Sequence, residues 1–232
     1  MKMINNEILS FCSNALMVIL ETVRLIQMFY HGEFRFFIYY TILSNTFALI
    51  TSAIYVIGYC CCMIKFKKSK ENVNLNDEVN PKKEKFTMPH CIRTLRFMSS
   101  VCLTVTFVVV LVILLPYYYP RGTAYKLLFA GNQALFHVIC PILSLLSFCV
   151  FEKGSLTLID VCLATLPTII YGIVFIILNL VKVVEGPYPF LMVYNQPVYA
   201  SILYFIGIIG CTFGFSKLVQ WITNKFSKKE QK

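Results

Sequence analysis

Apolar residues fill this chain in runs of about 20 or more, each long enough at about 1.5 Å per residue to cross a hydrocarbon core of about 30 Å. Six such runs are separated by short polar punctuation: Glu7–Tyr30, Phe36–Ile64, Thr94–Leu115, Tyr125–Val150, Ser155–Val181 and Pro197–Trp221. None alternates with a period of two, and each is about twice the length of a membrane strand, which argues against a closed barrel. The pattern predicts an all-α polytopic membrane protein of six transmembrane helices, forming one domain over residues 1–232. Residues 65–93 are the long polar stretch; they are expected to form a flexible basic cytoplasmic loop.

Composition and charge orient this bundle. The chain is 58% hydrophobic and 14% charged, with a formal net charge of +10. Such a charge first suggests nucleic acid, but its distribution points elsewhere. Nine Lys/Arg lie between Lys65 and Arg96 and five from Lys217 onward, with Lys2 and Lys153 on the same side of a six-helix chain. The opposite loops hold Arg35, Arg121, Lys126 and Lys182. By the positive-inside rule both termini are cytoplasmic, and the basic excess is a topology signal, so no nucleic-acid partner is expected. Tyr117, Tyr118, Tyr119 and Tyr125 supply an aromatic belt at the outer interface. The start, MKMINNEILSFC, runs into a full-length span without a small-residue cleavage pattern, so the first helix is expected to be retained. Ten cysteines occur without a CxxC pair, mostly inside spans, and suggest neither a disulfide framework nor a metal site. No cofactor is expected, and the oligomeric state is unspecified. Richness in Lys, Asn, Ile and Phe fits an AT-rich genome; in a bacterium the membrane would be the plasma membrane.

Polar groups inside these spans carry the candidate chemistry, because they are costly at membrane depth unless they face the bundle interior. In the first helix Glu21 and Arg24 share a face at i, i+3, either as an ion pair that fixes packing or as a polar wall of a cavity. In the second, FFIYYTILSNTFALI places Thr41, Ser44 and Asn45 together. A helix Thr or Ser often bonds its own i−4 carbonyl, whereas an Asn amide needs a neighbouring helix or a ligand. The third helix, CLTVTFVVVLVILL, is featureless and is expected to face lipid over much of its surface. In the fourth, NQALFHVICP carries Asn132 and stacks Gln133, His137 and Pro141 on one face. Pro141 deprives the His137 carbonyl of its i+4 donor, leaving either a kinked helix with a tethered histidine or a base in an enclosed polar site. Asp160 sits where a helix N-terminus favours a carboxylate and reads as structural. Gly210 and Gly214 fit GxxxG, which permits close helix contact. Counting from the predicted boundaries at ~1.5 Å per residue puts Thr41 about 8 Å below the outer boundary but His137 about 15–18 Å below it, an offset that tilt would have to absorb.

The Thr early in helix two, the Asn-x4-His-x3-Pro spacing in helix four, and YPFL at Tyr188–Leu191 together resemble the androgen-induced-gene family of atypical transmembrane threonine hydrolases and its bacterial six-helix relatives. The resemblance implies an intramembrane enzyme that cleaves esters of fatty acids with hydroxy fatty acids, its substrate drawn from the surrounding membrane lipids. Carried over by motif, the required Thr is Thr41 and the required His is His137. Animal members place an Asn three positions after the Thr; here Ser44 holds that position and Asn45 the next. On this reading Ser44, Asn45, Asn132 or Gln133 would donate to the oxyanion; Glu21 and Arg24 match no motif of the family and stand apart as a candidate supporting ion pair. The competing readings are a small-solute transporter and a non-catalytic scaffold in which the same side chains glue helices together; no internal repeat or broken-helix pair favours transport.

Overall fold

The computed structural model describes residues 6–71, 86, 88–131, 133–152 and 154–229. Every regular element among them is helical. Five helices are long and apolar enough to cross a membrane: α1 (Asn6–Tyr30), α2 (Tyr40–Glu71), α3 (His90–Arg121), α5 (Leu158–Leu180) and α6 (Val198–Lys229). A shorter apolar helix, α4 (Leu135–Phe151), fills the fourth place. The protein is thus an all-α, multi-pass integral membrane protein. Helix α2 continues through Glu71 and α3 begins at His90, so both ends of the predicted 65–93 loop are helical. Most of that loop, with Lys153 and Asn132, lies outside the described residues.

Helix α3 is the hub, contrary to its expected lipid-facing role. It packs on α2, α4, α5 and α6, and 56% of its apolar stretch is buried against 6% for α6. The reason lies in its small hydroxyl residues, which admit neighbouring helices closely and hydrogen-bond across to them. Ser99 meets Thr51 of α2 at 2.8 Å, Thr106 meets Ser44 of α2 at 3.0 Å, Ser100 meets Ser144 of α4 at 2.8 Å, and Thr94 donates to Asp160 of α5 at 2.5 Å. Between these contacts Phe97, Val101, Phe148, Val161 and Ala164 form the buried apolar core.

Asp160 is structural, as expected. Its carboxylate accepts from the Thr157 N–H at 2.7 Å while Thr157 accepts from the Asp160 N–H, a reciprocal cap that starts α5. The GxxxG glycines do not make a close contact among the described residues: Gly207, Gly210 and Gly214 have open space where a Cβ would stand. The tight approach occurs instead at Gly172 of α5, where a Cβ would lie 2.7 Å from the Phe205 ring.

The largest departure from the sequence pattern is at the start of α4. Lys126–Phe129 is a separate helical turn; Ala130 is extended and Gly131 has φ +56°. Helix resumes at Gln133. Its next turn, Leu135–Ile139, is π-helical, with the Cys140 N–H donating to the Leu135 carbonyl. A wide turn of this kind is one way a helix accommodates a proline that supplies no donor, here Pro141.

Candidate functional site

The late start of α4 reduces the offset expected between Thr41 and His137. His137 lies four residues inside the helix that begins at Gln133, about 6 Å along its axis, and Thr41 is the second residue of α2. Both side chains are buried, at 6% and 7% exposure, and both line one cavity of about 360 Å³ near the tyrosine-rich end of the bundle. Gln133, Arg24, Lys126 and Tyr188 line it too.

Thr41 occupies the first turn of α2, where backbone N–H groups have no partner within the helix and the helix dipole is positive. Its own N–H reaches the Tyr188 hydroxyl at 3.3 Å, and its Oγ1 lies 3.3 Å from that same hydroxyl. Tyr188 comes from the loop between α5 and α6, across 147 residues of sequence. It is held by a parallel stack on Phe190, with centroids 5.2 Å apart, and by an edge contact with Tyr39 at 5.7 Å. Asn179 pins the loop by donating to the Val184 carbonyl and accepting from the Val193 N–H. Gly186 permits the fold-back, since a Cβ there would meet the Leu191 backbone at 2.5 Å. Burial pushes the Tyr188 phenol up to about 12, so at neutral pH it stays protonated and able to donate.

His137 forms no hydrogen bond among the described residues, and its Nδ1 is buried without a partner. It makes no hydrogen bond to Thr41; the two groups share the cavity rather than touching. A tethered packing histidine would have a bonded ring nitrogen, so the kinked-helix account leaves His137 unexplained.

The other predicted polar residues take different places. Ser44 and Asn45 both donate to the Thr41 carbonyl, at 3.0 and 2.7 Å, and so brace the first turn of α2 rather than face the cavity. Ser44 also meets Thr106. Gln133 lines the cavity; Asn132 is outside the described residues. Glu21 and Arg24 do not form the expected i, i+3 ion pair. Glu21 is buried next to the Cys140 thiol, while the nearest carboxylate to the Arg24 guanidinium is Glu33, at 3.8 Å. The cause is the chain reversal after α1, where Glu33 N–H donates to the Met28 carbonyl and Gly32 N–H to that of Phe29, a Schellman closure that folds Glu33 back toward the helix.

Two features escaped the sequence reading. Tyr188 is legible only as part of the YPFL motif, with no hint that it meets Thr41. At the basic end, Arg96 is fully buried and donates to Glu152 at 2.7 Å; the same carboxylate oxygen accepts from Asn14 and Ser147, each at 3.1 Å. In sequence Arg96 counts only toward the basic excess at the start of the predicted third span, and Glu152 falls between the predicted fourth and fifth spans. No protein-family model matches this chain, and no curated protein or solved structure matches it either.

Proposed function

We propose that this protein is an intramembrane hydrolase of lipid esters, of the type that joins a fatty acid to a hydroxy fatty acid, with Thr41 as nucleophile and His137 as base. The carrying observation is that a hydroxyl and a histidine with no hydrogen-bond partner, from helices far apart in sequence, line one cavity. The motif resemblance to the androgen-induced-gene family supports the same pair.

The chemistry follows from the geometry with one adjustment, the approach of His137 to Thr41 when substrate fills the cavity; catalytic contacts often tighten only in the complex. His137 takes the hydroxyl proton as Thr41 Oγ1 attacks the ester carbonyl carbon. The developing oxyanion is met by the Thr41 N–H and the Tyr188 hydroxyl, which bond to each other in the free protein and turn to the substrate oxygen when it enters, in place of the Ser44 and Asn45 side chains. His137 then gives its proton to the departing alkoxide, freeing the hydroxy acid. Water, deprotonated by His137, resolves the acyl-threonine and regenerates the hydroxyl.

A lipid-like fluorophosphonate tests this assignment. It should form a covalent adduct on Thr41 that disappears in Thr41→Ala and weakens in His137→Ala. Unchanged labelling of a folded Thr41→Ala protein would sink the nucleophile assignment, and solute uptake into proteoliposomes that survives both substitutions would favour transport.

A further inference from the structure

The cavity shared by Thr41 and His137 has a charge asymmetry that ester cleavage alone does not require. Two cations, Arg24 and Lys126, line it, and among the described residues no carboxylate does. Arg24 is mostly enclosed, with 18% of its side chain exposed. Its guanidinium lies over the Phe136 ring, 5.1 Å from the centroid, and Phe136 precedes His137 on the same cavity wall. Among the described residues Arg24 donates no hydrogen bond: its Nε is buried without a partner, and the Glu33 carboxylate, its ion-pair partner at 3.8 Å, lies beyond hydrogen-bond distance and leaves the donors of the fork unfilled. An arginine presents five donors in a rigid planar fork that matches a carboxylate or phosphate. A fork held on an aromatic face, with its donors unfilled at the edge of a cavity, is preorganised for such an anion. Lys126, exposed at the same cavity, adds a second positive charge that attracts the anion without fixing its orientation.

We propose that Arg24, assisted by Lys126, binds an anionic group of the lipid, a carboxylate or a phosphate monoester, so that the protein selects amphiphiles carrying a free acid over neutral esters of the same chain length. This specifies the substrate of the hydrolase reading and rests on it to that extent, but binding can be read without turnover.

The full chain in phosphatidylcholine nanodiscs is photolabelled with a diazirine-bearing palmitate and with the methyl ester of the same probe. The acid should label the cavity wall about tenfold more than its methyl ester, the range for a charge-assisted hydrogen bond at an enclosed site. Arg24→Gln should bring the acid down to the ester's level, Arg24→Lys should retain part of the difference, and Lys126→Gln should lower it a few-fold. Equal labelling by acid and ester, or acid labelling unchanged in Arg24→Gln, overturns the proposal. Where Arg24→Gln fails to fold, the exposed charge reversal Lys126→Glu carries the test, and acid labelling that it leaves intact counts against the site. Competition by hexadecyl phosphate assigns the anion: displacement of the palmitate probe at equal concentration points to phosphate, and failure to displace it points to carboxylate. Acid-selective labelling in a protein without ester hydrolysis keeps this site and removes the hydrolase reading; hydrolysis without acid selectivity does the reverse.

Discussion

The bundle buries polar side chains near both of its ends, and the two groups are built in opposite ways. At the basic end, Arg96 and Glu152 meet at 2.7 Å with neither exposed, and Asn14, Ser147 and Ser52 close around them. Four helices converge on this one charge pair, which is neutralised from within, although Arg96 Nε, Glu152 Oε2 and Asn14 Oδ1 find no hydrogen-bond partner among the described residues. At the tyrosine-rich end, Thr41, His137 and Arg24 border an open cavity, and His137 and Arg24 leave hydrogen-bonding capacity unfilled. A buried ion pair gains little net stability over apolar packing but makes loss of either partner costly, so it fixes how helices assemble. Unfilled donors and acceptors occur at both ends, but at the tyrosine-rich end they border the cavity, where a bound ligand would relieve their cost. Burial of polar groups therefore does not by itself separate a packing role from a candidate site in this protein; bordering a cavity is the added criterion.

Substitutions at the two ends should separate along the same line. Thr41→Ala should lower ester hydrolysis at least about 10³-fold, while the melting temperature in detergent changes little because only one long hydroxyl contact is lost; a large loss of stability with residual turnover would make Thr41 a packing residue. Arg96→Met should do the opposite, destabilising the fold by about 3–5 kcal/mol, read as a fall in thermal midpoint. The double variant Arg96→Met with Glu152→Met should recover most of that loss; no recovery would mean that the pair is not the source of the effect. Tyr188→Phe should slow hydrolysis about 10²-fold, the usual cost of one oxyanion donor, with little change in substrate affinity. A rise in KM at constant kcat would instead place Tyr188 in binding. Thr157→Ala removes the cap of α5 near the basic end and should cost about 1 kcal/mol of stability with turnover unchanged, which a hydrolysis assay on the folded variant checks.

Much of the fold is legible in the apolar runs, because a helix must satisfy its backbone internally within hydrocarbon and so leaves a length signature in the sequence. The errors occur where that signature is ambiguous. The stretch from Tyr125 is apolar enough to count as span, so the break at Ala130 and Gly131 is hidden and the number of helical residues before His137 is overcounted. Helix α3 looks bland because isolated Ser and Thr residues read as self-satisfied, yet Ser99, Ser100 and Thr106 each find a partner on another helix. The Glu21–Arg24 spacing suits an ion pair, but spacing on one helix does not reveal that the following turn returns Glu33 to Arg24.

By itself the sequence determined that this chain is a multi-pass helical membrane protein and which side chains are exceptional in it, Thr41 and His137 among them. It did so because the hydrophobic runs and the residues that interrupt them are properties of local composition. Only the tertiary structure decided which exceptional residues share a space. It brought Tyr188 to Thr41, turned Ser44 and Asn45 back onto the Thr41 carbonyl, directed Arg24 into the cavity and closed Arg96 on Glu152. The physical reason is that hydrogen bonds and ion pairs act over about 3–4 Å, and distances on that scale between separate helices are set by where each helix starts and how it packs, which no single segment encodes.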